Sequence, residues 1–372
     1  KIDDIQHYNV DIFTVGSDWI GHFDYLKKYC NVIYLDRTEG ISSSELRAKD
    51  SNLKLGLIGN STLVAKYFRE SKFVNGAEVT AVSSSSTSAQ IKADNSLLLT
   101  NSYTDLLSSI DAVYIASHPT KHYNHVKQAL LAGKHVLCES PIALSEAECN
   151  ELCQLANSKN LILMDAIKTA YSTAYNRLLL LLNSGKIGQV LSVESTCTSL
   201  KNIKIDTTKK ATHYWNSICA WGPTAMLPIF HILGTHWIDI NITSLMLDKI
   251  PTFDLFTKIN FTYKNAVASL KVGKGVKSEG ELVISGTKGY IYVPAPWWKT
   301  EYFEVRFENQ NDNRRYFYPL EGEGIRYELV AILRAKKTNQ IPNNIPKQIS
   351  ANISKDKNNW ETDSKVVHLS PS

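Results

Sequence analysis

The chain has 372 residues, of which 43% are hydrophobic and 21% charged, and its formal net charge is +5. This length and composition favour two or three domains with buried cores. Lys and Arg are scattered rather than gathered into a basic block, so nucleic-acid binding and membrane-surface attraction have little support. The longest aliphatic run, Leu178 to Leu182, is far shorter than the roughly 20 residues of a membrane helix. The first ten residues lack the features of a signal peptide, so we expect a cytoplasmic protein.

Six cysteines are spread along the chain without a CxxC pair or a cluster with histidine. Cys149 and Cys153 share one helix face at i,i+4, but two ligands alone do not make a metal site. We expect reduced, structural thiols and no bound metal.

The first 47 residues are predicted to form two strands and two short helices. DIFTVGSDW and NVIYLDR are typical of strands, FDYLKKY is typical of an amphipathic helix, and GISSSELR opens another helix. In that last stretch Ser42 and Glu45 have the spacing of a capping box. Because so few elements hardly bury a core by themselves, we expect this segment to pack against another part of the protein.

VDIFTVGSDW, FDYLKKYCNVIYL and RTEGISSSEL resemble the C-terminal third of the glycerol-3-phosphate cytidylyltransferase family. The resemblance implies that Arg37, Thr38, Ser42 and Ser43 contact a nucleotide triphosphate. The family's HxGH-type turn belongs upstream of Lys1, and nothing in this chain replaces it. We therefore do not expect a complete cytidylyltransferase here, and a partnering N-terminal cytidylyltransferase portion is an open expectation.

A polar connector over residues 48–52 leads to strands that alternate with helices over residues 53–165. The predicted strands are LKLGLIGN, AEVTAVS, DAVYIAS, KHVLCES and LILMDAI. This alternation predicts parallel βαβ units in a doubly wound, Rossmann-like sheet.

Residues 166–338 are predicted to form an α+β domain with a large, mostly antiparallel open sheet. AYNRLLLLLNSGKIGQV is typical of a helix ended at Gly185, and long alternating strands follow it. The open sheet and the pair Trp297 and Trp298 favour association into a homo-oligomer through this domain. Residues 339–372, rich in Asn, Lys, Pro and Ser, are expected to be weakly ordered.

Gly59 follows a predicted strand and precedes a helix, which is the context of a dinucleotide-binding turn. In GNSTLV only the first glycine of GxGxxG/A is kept, and Ser61 and Val64 stand at the other two positions. A cofactor turn, with Ser61, Thr62 and Leu63 near the phosphates, and an ordinary βα turn both remain open. At the end of the next strand stand Ser83 to Ser86, which favour neither a ribose 2′-hydroxyl nor a 2′-phosphate, so NAD and NADP are not distinguished.

Three stretches resemble the Gfo/Idh/MocA family of oxidoreductases and together cover roughly residues 53–335. They are VYIASHPTKHYNHVKQALLAGKHVLCESPIALSEAE, LMDAIKTAYSTAYNRLLLLLNSGKIGQV and GELVISGTKGYIYVPAPWW. The resemblance implies a nucleotide-binding domain paired with a larger sheet domain, and hydride transfer between a nicotinamide and a sugar, polyol or related carbonyl. It places these residues at the cofactor: Ser117, Pro119, His122, Glu139, Ser140 and Pro141.

Ser140 stands where the resemblance implies a lysine that donates a proton or hydrogen bond to the substrate oxygen. A carbonyl that becomes an alkoxide needs such a donor, and a serine hydroxyl is a weak acid. The family's D-x-G-x-H/Y stretch has two candidate alignments. One uses Gly234, Thr235 and His236 with Asp239. The other uses residues 220–224, and we prefer it because it precedes the helix LPIFHILG; it replaces the expected aspartate by Ala220 and the His or Tyr by Thr224.

Lys168 and His122 are the remaining candidate catalysts. Lys168 is a cation near the implied substrate pocket, and His122 is near the implied nicotinamide edge. His236, beside Trp237, is typical of a packed side chain instead.

These observations predict an NAD(P)-dependent oxidoreductase for a sugar or polyol phosphate linked to CDP-activated precursors of a surface polymer, with degenerate catalytic residues and little turnover. The alternative is a catalytically inactive binding or dimerisation domain of a bifunctional protein whose activity is nucleotidyl transfer.

Overall fold

The structure is a computed structural model. It describes residues 1–16, 19–35, 52–83, 89–92, 94–200, 216–247, 250–338, 349, 352–353 and 366–369. This part of the chain forms a short N-terminal segment, a six-stranded parallel sheet and a ten-stranded mixed sheet. No helix in the described ranges has both the length and the apolarity that crossing a lipid bilayer requires.

The N-terminal segment is a two-stranded parallel sheet that packs against the larger sheet domain. Asp11 pairs with Lys186 and accepts a hydrogen bond from Tyr316, and Asn31 Nδ2 donates to the carbonyl of Ser184 at 3.1 Å. The expected reliance on another part of the protein is therefore seen. Its elements are α1 (Ile2–His7), β1 (Ile12–Gly16), a 3₁₀ helix (Asp24–Lys28) and β2 (Asn31–Leu35).

The predicted amphipathic helix FDYLKKY is wrong in type, because only five residues turn and they do so as a 3₁₀ helix. Short turns of this kind commonly tighten to i→i+3 bonding. The predicted helix from GISSSELR, together with Arg37, Thr38, Ser42 and Ser43, lies outside the described residues.

The six-stranded sheet is entirely parallel, and its order is β5-β4-β3-β6-β7-β8. Its central strands are apolar almost throughout because helices cover both faces. The predicted doubly wound sheet is confirmed. The elements are β3 (Leu53–Gly59), α2 (Ser61–Ser71), β4 (Ala77–Ser83), α3 (Ala89–Lys92), β5 (Leu98–Leu99), α4 (Tyr103–Ser108), β6 (Ala112–Ala116), a 3₁₀ helix (Pro119–Lys121), α5 (His122–Leu131), β7 (His135–Cys138), α6 (Glu146–Ser158) and β8 (Leu163–Asp165).

The ten-stranded sheet has the order β17-β16-β15-β14-β9-β12-β11-β10-β18, and β13 pairs with β9. Most neighbours are antiparallel, as predicted, while β9 runs parallel to β12 and β10 parallel to β18. The elements are α7 (Lys168–Tyr171), α8 (Thr173–Asn183), β9 (Val190–Leu200), α9 (Ser217–Leu233), β10 (Asp239–Leu247), β11 (Ile250–Thr262), β12 (Val267–Gly273), β13 (Gly275–Val276), β14 (Leu282–Gly286), β15 (Tyr290–Val293), β16 (Tyr302–Arg306), β17 (Arg314–Phe317), α10 (Ile325–Thr338) and β18 (Val366–Leu369), with 3₁₀ turns at Trp297–Lys299, Gln310–Asp312 and Glu321–Gly324.

Helix α10 belongs to the Rossmann domain, although the sequence placed it with the large sheet. Leu329 and Ile332 are fully buried in the same core as β3 and α2. The chain therefore returns to its first domain after completing the second, and the predicted boundary at residue 338 is wrong on this point. The amphipathic pattern of α10 shows that one face is buried but not which core buries it.

Two further expectations for the sheet domain differ from the structure. Trp297 is buried in the core and Trp298 packs on Trp221 of α9 with ring centroids 4.9 Å apart, so the tryptophan pair is not an exposed interface. In the segment predicted to be weakly ordered, Ile349 and Ile353 are fully buried and β18 pairs with β10. The rest of that segment lies outside the described residues.

Asp254 on β11 anchors the first turn of α9. Its carboxylate accepts the Ser217 N–H at 2.8 Å, the Ile218 N–H at 3.1 Å and the Thr257 hydroxyl at 2.7 Å. Burial raises the pKa of Asp254 to about 6, and these hydrogen bonds oppose the rise. At neutral pH a carboxylate thus satisfies the backbone donors that a helix start leaves free.

We expect Asp254→Asn to lower the free energy of unfolding by about 1–3 kcal/mol, because a buried amide nitrogen cannot accept these bonds. Denaturant unfolding at pH 7.5 measures the loss. The matched control Asp239→Asn, at an exposed carboxylate beginning β10, should change stability by less than about 0.5 kcal/mol. Equal stability of the parent and Asp254→Asn would contradict the anchoring role.

Candidate active site

A cavity of about 950 Å³ lies at the carboxyl edge of the parallel sheet. β3 and β6 are neighbours at the point where the strand order reverses, and ligands of open α/β sheets bind at such switch points. Ala220 of α9 also lines the cavity, so the sheet domain contributes to its wall. The predicted cofactor residues found in the wall are Gly59, Leu63, Ser83, Ser117, Pro119, His122, Glu139 and Ser140.

The turn from β3 to α2 brings the chain against the end of β6. Gly59 has a φ of +121°, and a side chain there would run into the backbone of Ala116 and Ser117, so glycine is required. The next residue, Asn60, caps α2, because its Oδ1 accepts the N–H groups of Thr62 at 2.9 Å and Leu63 at 3.3 Å. Thr62 thus contributes a capped N–H and is not in the cavity wall.

The residues present fit a dinucleotide in position and in cavity volume. Asn60 occupies two of the N–H groups that a pyrophosphate would use at this helix start. Ser83 ends β4 inside the cavity and carries no charge. The side chain of Ser61 and residues 84–86 lie outside the described part of the chain.

His122 is only 1% exposed, and both of its ring nitrogens face backbone carbonyls. Nδ1 lies 2.8 Å from the Pro141 oxygen, and Nε2 lies 2.8 Å from the Ser117 oxygen. Burial lowers the pKa of His122, against these two contacts. The histidine therefore ties the turn after β6 to the turn after β7, and its predicted catalytic role does not fit this geometry. Pro141 acts through its carbonyl and is not in the wall.

Ser140, in the wall, donates a hydrogen bond from its Oγ to Oδ1 of Asp165, which lies behind the wall. Asp165 ends β8 and is 1% exposed. Burial raises its pKa to about 7; the hydrogen bond from Ser140 opposes the rise and the charge of Glu139 adds to it. The position that lacks a lysine is therefore connected to a buried acid.

Lys168 is not among the residues of the cavity wall, but its Nζ lies 3.7 Å from Oε1 of Glu139. Tyr114 donates to the same Oε1 at 2.5 Å. Burial acts to lower the pKa of Lys168, but Glu139, Glu328 and Glu323 outweigh it and hold the pKa above its ordinary value. Lys168 is thus a counter-ion for Glu139 in the wall and for the carboxyl groups behind it, and the structure does not place Lys168 itself in the wall.

Helix α9 contains residues 220–224 within its first turns rather than in a loop before it. Ala220 lines the cavity, and Thr224 follows at i+4 on the same helix face. His236 is exposed and lies outside the wall. The reason for preferring the alignment on residues 220–224, that they precede the helix LPIFHILG, is therefore wrong, because both stretches lie in one helix. The replacement of the expected aspartate and His or Tyr by Ala220 and Thr224 stays a prediction.

Several residues of the site were not predicted from the sequence. Asn60 could have been found from its N-cap position after a strand. Asp165 could have been found as a carboxylate at the end of a strand beside the Ser140 turn. No sequence pattern indicates Tyr103 and His125, because they are distant in sequence and only the fold brings their ring centroids to 4.9 Å from each other.

The Gfo/Idh/MocA model, described as an oxidoreductase family with an NAD-binding Rossmann fold, matches residues 53–166. KijD10, a 3-ketoreductase from Actinomadura kijaniata solved in complex with NADP and TDP-benzene, superposes with a TM-score of 0.72 at 16% identity. The alignment covers 87% of this chain and 100% of that chain, and at this identity it shows a shared fold.

Two curated relatives match shorter parts of the chain. Glycerol-3-phosphate cytidylyltransferase from Bacillus spizizenii is 51% identical over 53 residues, which are 14% of this chain and 41% of that protein. D-xylose 1-dehydrogenase (NADP(+)) from Hypocrea jecorina is 35% identical over 91 residues, 24% of this chain and 23% of that protein. The chain spans less than half of either relative. Residues 53–166 thus match the model of the Gfo/Idh/MocA oxidoreductase family, and their parallel sheet has the strand order of the Rossmann fold that this model describes.

Proposed function

We propose that the chain is an NAD(P)-dependent oxidoreductase that acts slowly on a sugar or polyol derivative. The observation that carries the proposal is the cavity at the switch point of the Rossmann sheet, whose wall is completed by Ala220 from the second domain. In this arrangement the Rossmann domain holds the dinucleotide and the sheet domain faces the reacting carbonyl.

The sugar class is supported by the relatives. The matched dehydrogenase acts on D-xylose, and the structurally similar 3-ketoreductase was solved with NADP and a TDP derivative. NADP is the cofactor named for both of these proteins. In this chain the neutral Ser83 at the end of β4 favours neither NAD nor NADP.

A finer proposal concerns the metabolic setting. The N-terminal match to a glycerol-3-phosphate cytidylyltransferase supports a substrate that is a sugar or polyol phosphate on a route to CDP-activated precursors of a surface polymer. The packing of β1 and β2 against the large sheet through Asp11 and Lys186 supports physical linkage of the two activities. An N-terminal cytidylyltransferase portion and a homo-oligomer remain parts of this proposal.

We attribute the slow turnover to three positions at which a group that handles protons is replaced. Ser140 replaces a charged donor, and Ala220 and Thr224 remove further proton-handling groups from the face of α9. General acid–base catalysis contributes about 10²–10⁴-fold, so their loss is large but leaves hydride transfer possible.

We expect the purified protein to bind NADH or NADPH. Titration monitored by the fluorescence of the nicotinamide measures the affinity for each cofactor. Ser83→Asp should weaken NADPH binding about tenfold or more while sparing NADH, because a carboxylate repels the 2′-phosphate and accepts the 2′-hydroxyl. Ser158→Asp, at an exposed serine on α6, is the matched control and should change neither affinity. Absence of binding by both cofactors would overturn the proposal and favour a non-catalytic binding or dimerisation domain.

We expect Ser140→Lys to raise the rate of NAD(P)H oxidation with a panel of keto-sugar and keto-polyol phosphates about tenfold or more, since an ammonium group is the better donor. Ser140→Met has similar length without charge and controls for the change in shape. Fast turnover by the parent, unchanged in the lysine variant, would show that the role given to position 140 is wrong.

A further inference from the structure

Asp165 is a buried carboxylate whose only described side-chain partner is the hydroxyl of Ser140. Its Oδ1 accepts a hydrogen bond from Ser140 Oγ, and its Oδ2 has no hydrogen-bond partner among the described residues. The neighbouring Tyr171 hydroxyl donates to the backbone carbonyl of Asp165 at 2.7 Å. Ser140 itself lines the cavity, so it stands between the buried acid and the space for a substrate.

The charges around Asp165 leave it without a cation. In the described ranges Lys168 pairs with Glu139, and no Lys or Arg forms an ion pair with Asp165. The titratable groups that face Asp165 are Glu139 and Cys138 from the end of β7, Tyr171 from α7 and Glu328 from α10. All four are neutral or negative, so they favour the protonated form of Asp165.

We infer that Ser140 and Asp165 form the proton-donating pair of this active site. Ser140 is the catalytic residue that contacts the substrate oxygen, and Asp165 is the positioning residue that returns a proton to Ser140. The inference rests on the proposed function for its catalytic meaning, and it assigns a donor to the position where the expected lysine is missing.

The proton transfer balances without another reactant. A reduced nicotinamide, when bound in the cavity, would supply the hydride that the carbonyl carbon accepts. As the C=O π bond breaks, the substrate oxygen takes the hydroxyl proton of Ser140. Ser140 donates to Asp165 when the acid is ionised; when Asp165 is protonated, its carboxyl group is the donor and the serine hydroxyl proton is free for the substrate. Ser140 Oγ then takes the carboxyl proton of Asp165, and the electron pair of the broken O–H bond stays on the carboxylate. After the product leaves, a proton from water in the cavity returns to Asp165 through Ser140.

A second hydroxyl in the cavity wall, that of Ser117, is paired with a histidine rather than with a carboxyl group. Ser117 Oγ lies 2.9 Å from Nδ1 of His125. Burial lowers the pKa of His125, with Lys121 and His122 adding to the effect, so this histidine is neutral at pH 7 and has no acidic proton to give. Among the described hydroxyls of the wall, Ser140 is the one joined to a buried carboxyl group.

The first test reads the protonation of Asp165 without any turnover. Infrared difference spectra between the parent and Asp165→Asn, both labelled with ¹³C-aspartate, follow the carboxyl band from pH 4 to 9. We expect a midpoint near pH 7. In Ser140→Ala the midpoint should rise, because the hydrogen bond that favours the carboxylate is lost. Asp254→Asn, at another fully buried aspartate, is the control and should leave the Asp165 band in place.

Stability provides an independent readout of the same proton. The folded pKa of about 7 lies above the value of an unfolded aspartate, near 4, so the folded state holds the proton more tightly between these values. The denaturation midpoint of the parent should therefore fall as pH rises through this window, and Asp165→Asn should show a smaller fall. An infrared midpoint near 4, the ordinary aspartate range, would overturn the inference.

The catalytic test is a pH profile of the reductive reaction. The parent rate should be constant below about pH 7 and fall tenfold per pH unit above it, because the protonated acid is required. Asp165→Asn should lose this break and about a hundredfold in rate, whereas Ser140→Thr, which keeps the hydroxyl, should retain the break. A parent-like rate and break in a folded Asp165→Asn variant would overturn the inference.

The two proposals fail in different ways. Failure to bind NADH and NADPH would overturn the proposed function and with it the catalytic role of the pair. Ordinary titration of Asp165 alongside normal cofactor binding would overturn the pair and leave the oxidoreductase assignment standing.

Discussion

In the part of the chain that the structure describes, Lys168 places one cation among the carboxyl groups that gather where the two domains meet. Its Nζ faces Glu139, and its charge also acts on Glu328, which is fully buried on α10. Burying carboxylates without a counter-ion costs several kcal/mol each, so one cation must be placed where it serves more than one of them. This constraint fixes α7, the turn after β7 and α10 relative to one another.

The surrounding tyrosines complete this arrangement. Tyr67 donates to Glu328, Tyr114 donates to Glu139, and their rings stack with centroids 3.5 Å apart. Burial raises the pKa of Glu328 above its ordinary range, against the effect of Lys168. Because Lys168 is committed to this group, Asp165 has no ion-pair partner among the described residues and accepts a hydrogen bond from Ser140 instead. The chemistry of the cavity wall thus depends on how the charges behind it are distributed.

Much of the Rossmann domain could be predicted because its signals are local. Strands buried on both faces read as continuous apolar runs, and Gly59 marks the turn that must approach β6 closely. The positions of Ser117, Glu139 and Ser140 in the cavity wall followed from the resemblance to the Gfo/Idh/MocA family. The roles of His122 and Lys168 could not be predicted, because they depend on carbonyls and carboxylates that are distant in sequence.

The sequence by itself determined the order of strands and helices, the glycine turn and the absence of a lysine at position 140, since each is set by residues within a few positions of one another. Only the tertiary structure decided that α10 returns to the first domain, that residues 220–224 lie inside a helix, and that Asp165 stands behind Ser140. Those features arise because burial and charge compensation act between segments that are far apart along the chain, and local pattern carries no information about which segments will meet.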